Sequence, residues 1–355
     1  MNTIYQKRRE AVRPKLTEEN LTALLVSYPT NRFYLSGFEL HDDQCNESSG
    51  HILIQKNGND ILFTDSRFYE AAKTLWDEKN IFIYSNQIED MRNYLKNMVH
   101  GKIGFESKTI SQYFYENLAQ GLELESCDGI IEELRIIKDE EEIKAIKESI
   151  AVNHKLFEWL PSTFQENKSE AELALEIETF FRKHGATENS FAPIVAINKH
   201  AARPHHIPDQ ETKITENCHI LIDVGARYKN YCSDQTRTFW FGDTMDSRFQ
   251  TMLEQVQEAQ MEAIKILAPD LPCQDAHLKA VEIFKKYGVE KAFSHSLGHG
   301  VGLDVHEDPR LSIRSKRLLK PNMIVTVEPG LYYGDYGGIR WEYMVRITDD
   351  GCEIL

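Results

Sequence analysis

No run of apolar residues in this chain approaches the roughly 20 needed to span a bilayer, so a membrane-spanning helix is not expected. No Cys-x-x-Cys pair occurs among the six cysteines: Cys45, Cys127, Cys218, Cys232, Cys273 and Cys352. Their scatter excludes a disulfide framework and points to a reduced, cytoplasmic protein. Positive charge is in deficit, with 41 Lys and Arg against 56 Asp and Glu, a net charge of −15. Phosphate binding needs a basic surface, which argues against a nucleic-acid partner. The opening stretch, MNTIYQKRREAVRPKL, carries too much charge for a secretory signal. The N-terminal third has no glycine-rich phosphate loop, and no low-complexity segment is present.

What remains is a chain of 355 residues, 41% hydrophobic, long enough for two domains. From Leu21 to Glu125, short strands alternate with helices. Strands are expected at Leu24–Val26, His51–Gln55, Ile61–Thr64, Ile81–Tyr84 and Ile103–Glu106, and helices at Phe68–Trp76 and Ile88–Met98. This predicts an α/β domain over residues 1–134. The polar segment GFELHDDQCNESSG (37–50) reads as a surface loop; His41, Asp42, Asp43 and Cys45 there are weak metal candidates. Residues 135–355 form a second domain of α+β type. Asp139 with Glu142, and Ser169 with Glu172, have capping-box spacing and start two helices, the second ending at Gly185. Two more helices are expected near 246–267 and 274–287. Helix pairs thus alternate with strand pairs, as in two related halves.

The stretch HILIDVGARYKNYCSDQTRTFWF (219–241) reads as a β-hairpin. Centred between Tyr228 and Lys229, it would set Asp223 opposite Asp234, with Cβ atoms roughly 5 Å apart. No Lys or Arg on that face is evident, so a metal ion is the natural counter-charge. Cys232 lies in acidic surroundings that disfavour a thiolate. Four more stretches add chemistry. SFAPIVAINKHAARPHHIP (190–208) carries three histidines. HSLGHGVGLDVHEDPR (295–310) flanks His299 with Gly298, Gly300 and Gly302, which would let backbone pass close to a ligand or metal. VTVEPGLY (325–332) holds Glu328, and GIRWEYMVRIT (338–348) holds Glu342. A hairpin centred on Asp335 would bring these two glutamates together. Singly, each feature has an ordinary explanation, such as a core histidine or a glutamate paired with Arg340 or Arg346. Together, burying four carboxylates without counter-charge would cost many kcal/mol, and two divalent cations would offset them.

LIDVGARYKNYCSDQTRTF, HSLGHGVGLDVHEDP, VTVEPGLY and GIRWEYMVRIT resemble the motifs of the pita-bread metallopeptidases, in particular Xaa-Pro dipeptidases (prolidases) and Xaa-Pro aminopeptidases (aminopeptidase P). The likeness runs from about Leu134 to the C-terminus and implies a creatinase/prolidase-type N-terminal domain ahead of a pita-bread catalytic domain. It implies two divalent metal ions, Mn²⁺ first, with Co²⁺ or Zn²⁺ as alternatives. Asp223 would bind one, Asp234 and Glu342 would bridge both, and His299 with Glu328 would complete the second. It implies catalytic roles for His205, His306 and Glu328, and substrate contacts for His295, Arg310 and Arg340, the last alternatively a partner behind the ligands. Substrates would be small peptides with proline second, and the protein a homodimer. The departures are Tyr343 where Asp is common, Trp341 for a smaller aliphatic residue, His200 where Asn is common, and a longer acidic loop near His41. They bear on substrate preference; Trp341 and Tyr343 could form a proline-ring pocket. An inactive binding module and a metal-free C–N hydrolase resembling creatinase remain as readings of a different class.

Overall fold

The computed structural model describes residues 3–42 and 47–355, so Asp43 and Cys45 of the acidic loop lie outside the described residues. The chain divides into two compact units, Met1–Arg135 and Ile136–Leu355.

In the first unit six strands form one sheet, in the order Ile81–Ile83, Ile61–Thr64, His51–Gln55, Ala23–Val26, Ile103–Phe105, Leu124–Ser126. Ala23–Val26 runs antiparallel to His51–Gln55 and parallel to Ile103–Phe105. All four of its residues are buried, which is why it reads as an unbroken apolar run. Helices Tyr69–Leu75 and Gln87–Met98 fall where the apolar spacing puts them. The charged opening stretch is itself a helix, Thr3–Glu18, which sequence reasoning passed over. It is anchored by Val12 and Leu16, both fully buried. Its arginines are used locally: Arg9 and Arg13 pair with Asp60 at 3.1 and 3.0 Å, and Arg8 lies 4.1 Å from the ring centre of Tyr34. Asp42 is held 2.9 Å from the buried Arg32 guanidinium and accepts from Ser49 N, so it is engaged within its own unit.

In the second unit helices Glu140–Trp159 and Glu170–Lys183 precede the first hairpin, and Ser247–Lys265 and Cys273–Lys286 precede the second. Both expected capping boxes form, at Asp139 with Glu142 and at Ser169 with Glu172. The first hairpin pairs differently from expectation. Lys229 and Asn230 both have positive φ, 49° and 71°, the signature of a two-residue turn. The ladder is therefore centred between them: Tyr228 pairs with Tyr231, and Asp223 with Thr236. Asp234 sits just outside strand Gln235–Phe241, diagonal to Asp223 and on the same face. The second hairpin keeps its expected centre. Pairs Val327–Tyr343 and Gly330–Arg340 are both symmetric about Asp335, and Glu328 and Glu342 occupy the opposed gap between these two ladders. Each half has its own apolar core, one around Ile220, Ile222 and Phe181, the other around Phe249, Phe284 and Val325.

Candidate metal centre

The two hairpins and the short strand Gly298–Gly300 carry the five expected ligands to one place. Oxygens of Asp223, Asp234 and Glu342, all buried, lie within 4.8 Å of one another. His299 Nε2 lies 3.6 Å from Asp234 Oδ2 and 3.3 Å from Glu328 Oε1. His299 Nδ1 faces Gly300 O at 3.1 Å. A carbonyl only accepts, so Nδ1 carries a proton, and Nε2, on the carboxylate side, is the nitrogen whose lone pair a metal would take.

The electrostatics fit a cation. Asp223 Oδ1 and Glu342 Oε1 are buried without any hydrogen-bond partner, a state that costs free energy unless something charged sits against them. Burial raises Asp223 above the ordinary carboxylate range. Burial and then repulsion from neighbouring carboxylates raise Asp234 and Glu342 well above it. Burial works against ionised Glu328 too, but in the metal-free protein a second proton, on His299 Nε2, supplies the hydrogen bond and charge that hold it at about 2. Carboxylate oxygens and an imidazole nitrogen are a donor set for divalent first-row metals.

One expectation is overturned here. A cation does sit on the aspartate face. Arg340, buried, places Nη2 2.7 Å from Asp223 Oδ2. Its Nε donates to Thr236 Oγ1 at 2.9 Å and its Nη1 to Tyr332 OH at 3.0 Å. Arg340 is thus committed to holding Asp223, which separates it from the substrate contacts. The period-2 pattern hid it because it enters from the other hairpin.

The residues that fix the ligands are mostly ones sequence reasoning missed. Thr236 Oγ1 donates to Glu342 Oε2 at 2.8 Å, and Thr326 Oγ1 reaches Glu328 Oε1 at 3.2 Å. Both threonines stand two residues from a ligand, so same-face alternation was the available signal. Gln260, on a helix, donates to Val327 O and Trp341 O, tying both arms of the second hairpin. The rings of Trp341 and Tyr343 lie 4.6 and 4.5 Å from the Arg237 guanidinium, so they box an arginine where a proline-ring pocket was expected. The glycines beside His299 serve strand packing. A Cβ on Gly298 would lie 1.9 Å from Thr326 O, and one on Gly300 2.3 Å from Asp308 O.

Around the cluster stand the other expected residues. His306 is exposed, with its ring centre 4.3 Å from that of His299 and a ring nitrogen grouped with Asp234 and His299. It is within a ligand's reach of the same space. His295 Nδ1 donates to Ser296 O, leaving Nε2 to accept from Tyr332 OH at 2.9 Å. His205 is exposed, and its charge bears on both His295 and His306. Arg310 is exposed and near enough to act on His299 and His306. Glu307, its alternative partner, is paired with buried Lys138. Burial pushes the Cys232 thiol up to about 11, in keeping with no nucleophilic role. The five described cysteines are all free. Among the described residues no helix is long and apolar enough to cross a membrane.

Comparison with known proteins gives the same picture. Residues 8–137 match the creatinase/prolidase N-terminal domain, and residues 144–349 match metallopeptidase family M24. The chain is 31% identical over 353 residues to an Xaa-Pro dipeptidase of Pyrococcus furiosus, covering 99% of this chain and 97% of that one. Among solved structures it resembles an Xaa-Pro dipeptidase from Bacillus anthracis (TM-score 0.92, 32% identity, 99% of this chain and 97% of the other). It also resembles an X-Pro aminopeptidase from Thermotoga maritima (TM-score 0.84, 30% identity, 94% and 95%). With more than half its length matched to the catalytic family and residues 8–137 to the creatinase/prolidase N-terminal domain, this chain belongs to metallopeptidase family M24 and has the pita-bread fold.

Proposed function

We propose that the chain is a dinuclear-metal Xaa-Pro dipeptidase. The observation that carries this is the buried group Asp223, Asp234 and Glu342, with two orphaned oxygens, closed by His299 and Glu328. Asp234 and Glu342 would be shared between two ions, Asp223 would serve one, and His299 with Glu328 the other. Four carboxylates against one guanidinium leave three negative charges; two divalent cations, manganese first among them, would turn this into a surplus of one positive charge and supply Lewis acidity toward a carbonyl and a water.

The chain's own groups supply the rest. Glu328, a carboxylate at the edge of the group, accepts the proton of the attacking water. His306 and His205 steady the oxyanion as the carbonyl becomes tetrahedral. An Xaa-Pro bond offers no N–H for recognition, so binding must use the termini and the ring. Arg310, exposed and without an ion-pair partner among the described residues, is suited to grip the proline carboxylate of a dipeptide through two parallel hydrogen bonds. The working form is a cytoplasmic homodimer, as the resemblance implies, which sedimentation would read.

The test is hydrolysis of Xaa-Pro dipeptides beside Xaa-Pro-Yaa tripeptides, in Mn²⁺ and in Co²⁺, with bound metal counted. A charge-assisted bond from Arg310 is worth about 1.5–3 kcal/mol, roughly a tenfold to hundredfold preference for the dipeptide. It should shrink in Arg310→Ala. Equal efficiency on both substrates in the unmodified enzyme would move the reading to an aminopeptidase P, which the Thermotoga maritima likeness supports. A protein that binds no metal and cleaves neither would sink both.

A further inference from the structure

A second convergence of metal-ligating groups lies at the start of helix Glu170–Lys183, outside the five-ligand cluster. Glu170, His200, His206 and Asp209 each bring one donor atom to within 4.8 Å of the other three. Glu170 is fully buried in the first turn of its helix and His206 is 5% exposed. His200 and Asp209 are partly exposed, so the group is closed on the protein side and open to water on the other.

The distances suit a small cation. His206 Nε2 lies 2.7 Å from Glu170 Oε2. His200 Nδ1 lies 3.0 and 3.2 Å from the two Glu170 oxygens and 3.8 Å from Asp209 Oδ2. Four ligands held tetrahedrally at zinc's usual bond lengths of about 2.0–2.1 Å are about 3.3–3.4 Å apart, which these separations bracket. One ring N–H cannot point well at three oxygens, whereas one cation between them can. His200, being partly exposed, can move its remaining proton to Nε2, where water accepts it. Two carboxylates and two neutral imidazoles balance a divalent ion, and the mixed N and O donors favour zinc over magnesium or calcium. Backbone already fixes the carboxylates. Ile197 N donates to Glu170 Oε1 at 2.8 Å, and Thr212 N to Asp209 Oδ1 at 2.7 Å, leaving Asp209 Oδ2 toward His200.

We propose that Glu170, His200, His206 and Asp209 form a third metal site, of zinc type, which clamps the segment 198–209 to the helix that Glu170 begins. This segment carries His205, so the ion would also set how firmly that histidine is presented. The site stands apart from the dinuclear centre and does not depend on the peptidase reading.

The test is metal stoichiometry on the full chain. Stripped protein is dialysed against micromolar Zn²⁺ and bound zinc is counted. The parent should hold one equivalent more than the dinuclear centre accounts for. Asp234→Asn, with that centre disabled, should keep one equivalent. Adding His200→Ala, at a partly exposed position, should lower this to under about a tenth. His200→Ala alone should remove one equivalent from the parent and soften thermal unfolding in zinc but not in chelator. With Co²⁺ the Asp234→Asn protein should show visible tetrahedral absorption that His200→Ala abolishes. Zinc content unchanged by His200→Ala in both backgrounds would overturn the proposal, and so would an Asp234→Asn protein that holds no zinc. If the dinuclear reading is what fails, Asp234→Asn will bind as much metal as the parent, and the His200→Ala difference still reads the third site.

Discussion

At the scale of single residues, the buried carboxylates divide into those whose charge a metal would answer and those already answered by protein. Asp234 belongs to the first kind, raised by burial and by Glu342 and Asp223 beside it. Asp234→Asn should abolish turnover and cut bound metal at the dinuclear centre by more than about tenfold, read by elemental analysis. Full activity in that variant would remove the two-metal reading. His306→Ala is the contrasting case. It should lower kcat about a hundredfold with metal content little changed; loss of metal instead would make His306 a ligand, which its place beside Asp234 and His299 permits. His206, unlike its exposed neighbour His205, is buried against Glu170 at 2.7 Å. In metal-free protein His206→Ala should cost about 1.5–3 kcal/mol of stability, because it removes a bond to a buried charged group.

At the scale of elements, the lesson concerns what fixes a register. The second hairpin was legible because Glu328 and Glu342 are symmetric about the turn in YYGDYGG, and the ladder keeps that symmetry on both sides of the gap. The first was misplaced because Lys-Asn does not announce a turn with two positive φ values as Asn-Gly would. The face survived the error because the displacement was two residues, the side-chain period of a strand. Helix starts were legible wherever a capping box stood. Helix Thr3–Glu18 was not, since two buried apolar residues among many charges give little periodic signal. Likewise Arg340 could not be placed, because its partner Asp223 lies 117 positions away. Strand contact also makes a testable claim. Gly298→Ala would drive a methyl group into Thr326 O. It should destabilise the protein by about 1–3 kcal/mol and weaken metal binding, since Thr326 also receives His299 N. Unchanged melting and metal content would show that these strands can part without consequence.

At the scale of the whole molecule, two buried groups in the N-terminal unit titrate against each other. Burial holds Glu106 at about 7, above its ordinary value, although Tyr28 N, Ser27 N and Asn31 donate to it. A raised acid leaves the folded state with more protons than the unfolded, so stability falls as pH rises from about 4.5 to 7, by about 1.4 kcal/mol per unit. Burial holds His51 at about 3. A lowered histidine does the reverse: stability is lost as pH falls from about 6.5 towards 3. Between about pH 4.5 and 6.5 the two slopes oppose, and each hides the other. Glu106→Gln should therefore gain stability relative to the parent as pH rises through that window, read as the difference in urea midpoints. A constant difference would mean Glu106 titrates normally.

The guanidinium of Arg340 against Asp223 has a consequence for the order of events in the life of the protein. A site made of anions alone would have to wait for its ions before the surrounding chain could close. Here one positive charge is encoded in the chain and arrives with folding, held by Tyr332 on the adjoining strand and by Thr236 on the first hairpin. The pocket can thus be assembled first and filled afterwards. Protein made in metal-poor medium should be folded, idle and restored by later addition of Mn²⁺, with no refolding step. Arg340→Met should lose that latitude, remaining soluble only when metal is present during synthesis.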